Sequence, residues 1–305
     1  MENCVNVLYS LNQSAKLGSA SLSGNNSLTI FGTVEISRSR FSNSSVYSEV
    51  CLGGNGSLAA LAASKYANVR LISVIGSDIG KEKISNLLGE KISVEDVTVL
   101  DGESFNYASI YNPDSFELVD EEINFGVYKE YKPAIISKET KDSEIVLFSG
   151  SNPGYGLKIL NMFNHPRMVG VCTLLYHLKN NTDSSLSLID NADYLFTSSS
   201  EYSFLSKELG IGDLFEQFKQ LKLIFKTEGQ NGVRAICKEG EYLFDQRNKV
   251  KPITPLNAGD VFAGSIMGML ASVSLRKIPI GEMVEIAQEE SIKVIRDDIF
   301  YRRRL

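Results

Sequence analysis

Ile253-Thr254-Pro255-Leu256-Asn257-Ala258-Gly259-Asp260-Val261-Phe262-Ala263-Gly264 is the stretch that organises the reading of this chain. A proline-containing segment runs into small residues, then a carboxylate, then an apolar run that predicts a helix. The backbone N–H groups of Asn257, Ala258 and Gly259 would point out of the start of that helix. The first N–H groups of a helix have no partner within it, and the macrodipole is positive there, so the position favours an anion. Gly259 lets such an anion approach the backbone closely. Asp260 would stand beside it, placed to accept a proton from a hydroxyl. An aspartate in a first helical turn is also commonplace, and Asn257 reads equally as an ordinary N-cap. The rest of the chain decides between these readings.

Working outward, the chain has 305 residues, enough for a large core. It is 43% hydrophobic and 22% charged, an ordinary globular composition. A net charge of −6 argues against a nucleic-acid partner, which would need clustered lysine and arginine. The one basic cluster, Arg302-Arg303-Arg304, reads as a solvated tail. No apolar run approaches the ~20 residues of a membrane helix, and no signal-peptide pattern opens the chain. Cys4, Cys51, Cys172 and Cys237 have no metal-binding spacing and read as reduced thiols of a cytoplasmic protein. With only His165 and His177, a histidine-based triad or metal site is nearly excluded.

Residues 1–27, rich in Ser, Asn and Gly, read as a poorly anchored leader. Ser27–Phe31 predicts a first buried strand ending at Gly32. Further strands are expected at Val69–Ile75, Ile145–Phe148, Met168–Cys172, Tyr194–Thr197 and Leu223–Lys226. Helices are expected at Ser57–Ala67, Gly80–Leu88, Ser200–Leu209 and Ile211–Leu221. Short buried strands alternating with helices predict a doubly wound, mostly parallel sheet covered on both faces. Two segments break the rhythm. Residues 37–50 alternate polar and apolar in places, and residues 105–125 read as a hairpin around Asn112-Pro113-Asp114-Ser115. Together they predict a small β lid, leaving 28–36, 51–104 and 126–305 as the α/β core.

The 253–264 stretch resembles the C-terminal signature of the ribokinase-like (PfkB) carbohydrate kinases, usually Asp-Thr-x-Gly-Ala-Gly-Asp-x-Phe-x-Gly. Ala258, Gly259, Asp260, Phe262 and Gly264 match; Thr254 and Asn257 replace the usual Asp and first Gly. Three further motifs follow in the family's order. Gly53-Gly54-Asn55 and the Ala-rich Ser57–Ser64 resemble its substrate-binding turn and helix. Val74-Ile75-Gly76-Ser77-Asp78-Ile79-Gly80 resembles its Val-Gly-x-Asp-x-x-Gly strand end, one residue short. Lys226-Thr227-Glu228-Gly229-Gln230-Asn231-Gly232 resembles the nucleotide-side turn. The resemblance covers about residues 28–295.

The resemblance implies an ATP- and Mg2+-dependent kinase acting on a hydroxyl of a sugar, nucleoside or inositol, with the lid over the acceptor and sometimes a homodimer through it. It implies Asp260 as base and Asn257–Gly259 as an anion hole. Gly53, Gly54 and Asn55 would face the acceptor, together with Ser37 where the family has an aspartate. Thr227, Gly229 and Gly232 would shape the nucleotide side. Glu201 would organise magnesium through water, although Ser198 replaces the family's asparagine and Ser198-x-x-Glu201 is also a capping box. The departures at Ser37, Ser198, Thr254 and Asn257 leave an alternative open, a kinase-fold protein that binds or assembles rather than catalyses. Gly76–Lys81 is not a P-loop: it is one residue short, and Glu82 stands where a hydroxyl must bind magnesium. No Gly-x-Gly-x-x-Gly follows the first strand, which argues against a dinucleotide-binding dehydrogenase.

Overall fold

The computed structural model describes residues 27–46, 49–112, 118–133, 135–246, 257–272, 278–295 and 303–304. The leader up to residue 26, the Pro113–Ser115 turn and Thr254 lie outside them. Strands β1 (Ser27–Gly32), β4 (Asn68–Gly76), β9 (Ile145–Ser149), β10 (Met168–Cys172), β11 (Tyr194–Ser198) and β12 (Leu223–Thr227) run parallel. Between β1 and β9 the chain also forms β2 (Glu35–Phe41), β3 (Glu49–Gly53), β5 (Ile92–Ser93), β6 (Val97–Leu100), β7 (Phe105–Tyr111) and β8 (Leu118–Asn124). The main sheet has the order β14-β13-β12-β11-β10-β9-β1-β4-β5, with β6 also on β4. Its far edge is an antiparallel hairpin, β13 (Val233–Cys237) and β14 (Gly240–Phe244).

Buried apolar runs such as Ile-Val-Leu-Phe in β9 are what a strand covered on both faces requires. One face packs under α1 (Asn55–Ala63), α6 (Ala258–Ala271) and α7 (Ile280–Ile295). The other carries α3 (Pro153–Leu160) and α4 (Thr182–Ile189). Two short helices complete those the site needs: α2 (Lys81–Leu88), after β4, and α5 (Ser199–Ser203), after β11.

The helices α1 and α6 touch backbone to backbone. A Cβ on Gly264 would lie 2.3 Å from the Ala59 carbonyl oxygen, and one on Gly268 2.8 Å from the Ala63 Cα. Only small residues four apart, facing small residues four apart, permit this approach. Phe262 anchors α6 from above, edge-on to Phe196 of β11 and Phe225 of β12 at 6.3 and 5.7 Å between centroids.

A second, five-stranded sheet has the order β15-β3-β2-β7-β8. It is antiparallel except for β2 against β7, which run parallel. It begins at Glu35, two residues before the expected start at 37, because β2 follows β1 after only Thr33 and Val34. Its edge strand β15 is Arg303–Arg304, paired with Leu52 and Cys51. Those two arginines are therefore part of a sheet and not a solvated tail; Arg302 lies outside the described residues.

Two helices differ from expectation. Ile211–Leu221 holds only a helical turn at Leu214–Gln217, capped by Asp213 and preceded by Gly210 and Gly212. Ser200–Leu209 is α5 followed by a wider π-type turn at Phe204–Glu208. The helix α3 was not anticipated, although Asn152 caps it and Pro153 occupies its first turn.

Candidate active site

The carboxyl ends of β1 and β9 are hydrogen-bonded neighbours, with Gly32 beside Ser149. The chain leaves β1 for β4 on one side, and β9 to β12 continue on the other. This is a topological switch point, where open α/β sheets form a crevice. The start of α6 lies over it. Ser149 Oγ donates to Asp260 Oδ1 at 2.8 Å, tying the base of the helix to the end of β9.

Asn257 has φ 68° and ψ −2°, the left-handed region, which asparagine tolerates better than most residues. Its side chain makes no cap hydrogen bond. No described residue accepts from the N–H groups of Asn257, Ala258 or Gly259. Gly259 is exposed, and no atom lies within 4 Å of where its Cβ would stand. Among the described residues the helix start therefore presents donors with no protein acceptor, an arrangement that suits a phosphate-sized anion.

The Asp260 carboxyl is half-buried, and desolvation pushes it up to about 6. The Ser149 hydroxyl counters that rise, and the charge of Glu201 adds to it. Cys172, at the end of β10, is raised well above the usual thiol range by burial and by the Asp260 charge, which makes it a packed thiol and no nucleophile.

Glu201 sits in the first turn of α5 and forms the capping box with Ser198. Its carboxylate also accepts from Thr173 Oγ1 at 2.8 Å, Ser198 N at 2.8 Å and Leu175 N at 3.2 Å. Three donors fix this carboxylate at the strand ends. Among the described residues no group of three or more His, Cys, Asp or Glu could hold a metal. A divalent ion at this end would rest on nucleotide phosphates and water, with Glu201 the acid facing it, as magnesium sites commonly do.

Thr227 ends β12 beside Ser199, whose hydroxyl donates to the Thr227 carbonyl at 3.3 Å. Gly229 opens a 3-10 turn with clear space where a Cβ would be, whereas a Cβ on Gly232 would lie 2.1 Å from the Phe244 carbonyl oxygen. The first glycine leaves room; the second is required by the hairpin.

On the opposite side of Asp260 lie Gly53, Gly54, Asn55 and Ser37. Asn55 starts α1, and its N–H donates to Thr33 Oγ1 at 3.2 Å. A Cβ on Gly53 would lie 1.9 Å from Ser37 Oγ, so glycine there is what admits the Ser37 side chain. That side chain donates to Glu35 Oε1 at 2.9 Å. Glu35 is the residue the sequence reading passed over: 7% exposed, its carboxyl pushed up to about 7 by burial, and within electrostatic reach of Asp260. Asp78 turns away from the site, accepting from Ser104 N at 2.9 Å and Ser104 Oγ at 2.7 Å, and so pins the base of β7.

A carboxylate at a helix N-terminus, over the switch point of a doubly wound sheet with a second sheet alongside, is an arrangement that suits an anion beside a base. The chain belongs to the pfkB family of carbohydrate kinases, whose family model matches residues 27–291. Its fold is that of solved ribokinase-family kinases. The nucleoside kinase of Burkholderia thailandensis, in complex with inosine, is 14% identical with a TM-score of 0.71, over 91% of this chain and 94% of that one. The nucleoside kinase of Methanocaldococcus jannaschii is 16% identical with a TM-score of 0.66, over 90% and 100%. A fructokinase of Xylella fastidiosa with bound ATP is 14% identical with a TM-score of 0.68, over 89% and 92%. No curated protein matches the chain. Among the described residues no helix is long and apolar enough to cross a membrane.

Proposed function

We propose that this protein transfers the γ-phosphoryl group of ATP to a hydroxyl of a small polyol of the sugar, nucleoside or inositol class. The observation that carries the reading is the pairing of Asp260 with N–H groups at the start of α6 that find no acceptor among the described residues. The acceptor hydroxyl gives its proton to Asp260 as its oxygen bonds to the γ-phosphorus and the bond to the leaving ADP oxygen breaks. In a loose transition state the proton leaves late, so a carboxylate near its ordinary range suffices. The N–H groups of Asn257, Ala258 and Gly259 face the charge that spreads over the phosphoryl oxygens. Glu201 would hold magnesium carried with the nucleotide, through water, and the ion would supply charge neutralisation.

Thr227 and Gly229 border the nucleotide, and Asn55 with the Gly53-Gly54 turn borders the acceptor. The second sheet stands over the acceptor side, where excluding water prevents simple hydrolysis. The thiols of Cys172 and Cys237 fit a reducing, cytoplasmic setting. We also read the second sheet as a surface for a second copy of the chain, since Val119 and Ile123 of β8 are 53% and 52% exposed; light scattering tests it by mass.

The experiment is an ADP-release assay with Mg2+ and ATP across pentoses, hexoses, nucleosides and inositols, with phosphorylated product identified by mass. One class is expected to give turnover that depends on both acceptor and Asp260. Nucleotide binding with no transfer to any of them would overturn the reading.

A further inference from the structure

Three acidic side chains are buried among the described residues: Glu35, Asp193 and Glu290. Asp193 pairs with Lys222 at 2.6 Å. Glu290 pairs with Lys65 and, at 2.6 Å, with Lys293. Glu35 has no cationic partner. Its carboxylate receives only the Ser37 hydroxyl and the backbone N–H of Gly54, and it faces a second carboxylate, Asp260. A buried, unpaired charge is costly, and these two donors would serve an uncharged amide of the same shape equally well. Packing therefore gives no reason for the charge.

Its position does. Residues two apart on a strand share a face, so Glu35 and Ser37 look the same way. Register places Phe105 beside Glu35, Tyr107 beside Ser37, and Ile123 beside Tyr107. That face combines a carboxylate and a hydroxyl with aromatic and aliphatic surface, and it adjoins the base. The titratable groups that face Glu35 are Asp260 from α6 and Tyr107 from β7. Both are neutral or negative, and no lysine, arginine or histidine among the described residues offsets them.

We propose that Glu35 is the acceptor-specificity residue: its carboxylate takes hydroxyl hydrogens of a neutral acceptor and excludes acceptors that carry phosphate or carboxylate at that end. This rests on the kinase reading above. Ser37 is then a positioning residue, orienting the carboxylate through its bond to Oε1.

The test compares wild type with Glu35→Gln and Ser37→Ala. The probes are ribose, fructose, adenosine and myo-inositol, and a derivative of whichever is best that carries phosphate away from the hydroxyl receiving the phosphoryl group. Glu35→Gln is expected to raise the acceptor KM about tenfold or more, the scale of a hydrogen bond to a charged group. It should leave kcat and the KM for ATP within about threefold. Wild type should discriminate against that phosphate-bearing derivative, and the variant should lose most of that preference. The thermal midpoint of Glu35→Gln should exceed that of wild type at pH 8 and match it at pH 5. Ser37→Ala should raise the acceptor KM by a smaller factor. An unchanged acceptor KM in Glu35→Gln, or a variant that is less stable or fails to fold, overturns the assignment of Glu35 and leaves the kinase reading intact. A wild type that transfers to none of the probes overturns both.

Discussion

The two ends of the candidate site are built on opposite terms. At the proposed nucleotide end, Glu201 is a carboxylate held by protein donors: the Thr173 hydroxyl and the N–H groups of Leu175 and its own capping residue Ser198. At the acceptor end, Glu35 is more deeply buried yet holds only one hydroxyl and one N–H. Glu201 is ordered before any ligand arrives, as a preorganised charge should be. Glu35 is left short of partners, and a ligand with hydroxyl donors completes it. The contrast separates groups a protein orients from groups it reserves.

The largest expected effect lies between these ends. Asp260→Asn should lower kcat by about 10²-fold or more, the scale of a positioned base, with both KM values little changed; steady-state kinetics with retained kcat would remove Asp260 from the mechanism. Ser149→Ala comes next. It deletes the bond that holds the Asp260 carboxylate in place, and a drop of about tenfold in kcat is expected, near the net value of one hydrogen bond to a charged group. The same bond holds the Asp260 pKa down, so the acid limb of the rate profile should move to higher pH in that variant.

The pH profile itself is a milder test. A base with a pKa of about 6 must be ionised to act. At saturating acceptor, kcat should therefore be flat above about pH 7 and fall tenfold per unit below about 6. Stability should move the other way. The Glu35 carboxyl is raised from 4.5 to about 7 in the folded chain, so the fold binds its proton more tightly than the unfolded state does. Its contribution is full below about 4.5 and is lost as pH rises through about 7, on the order of 3 kcal/mol. Urea midpoints of wild type and Glu35→Gln between pH 5 and 8 measure it, and parallel curves would remove Glu35 as the source. The smallest expected effect is Asn257→Gly. The asparagine already adopts the left-handed conformation that glycine favours, so turnover should change by less than about threefold. A rise of 10²-fold would mean that Asn257 misdirects the anion hole.

The same contrast explains what was legible in the sequence. The start of α6 is a local construction: Ala258, Gly259 and Asp260 are contiguous, so their spacing alone announces donors beside a carboxylate. Glu201 was equally visible as a capping box. Most parallel strands were legible because burial on both faces demands short apolar runs. Glu35 was not, because its burial depends on strands far away in sequence, β7 and β3, closing over it. As a lone acid just past the first strand it carries no local sign of burial, unlike Ser37 two positions later, where the family has an aspartate. Arg303 and Arg304 misled for the same reason, since only pairing with Cys51 and Leu52 distinguishes a strand from a tail. The helix at Ile211–Leu221 failed locally: Gly210 and Gly212 carry the chain through an open bend before Asp213 can cap anything.

The seam of Gly264 and Gly268 against Ala59 and Ala63 has a consequence for how such an enzyme can diverge. One seam fixes the starts of both α1 and α6, so the acceptor turn and the anion hole are a single casting. A larger side chain anywhere along it shifts both at once and spoils transfer along with binding. Mutational exploration of new acceptors is thereby channelled away from the helices and into β2, β7 and β8. There, a residue can change size or charge without disturbing where the phosphoryl group is delivered.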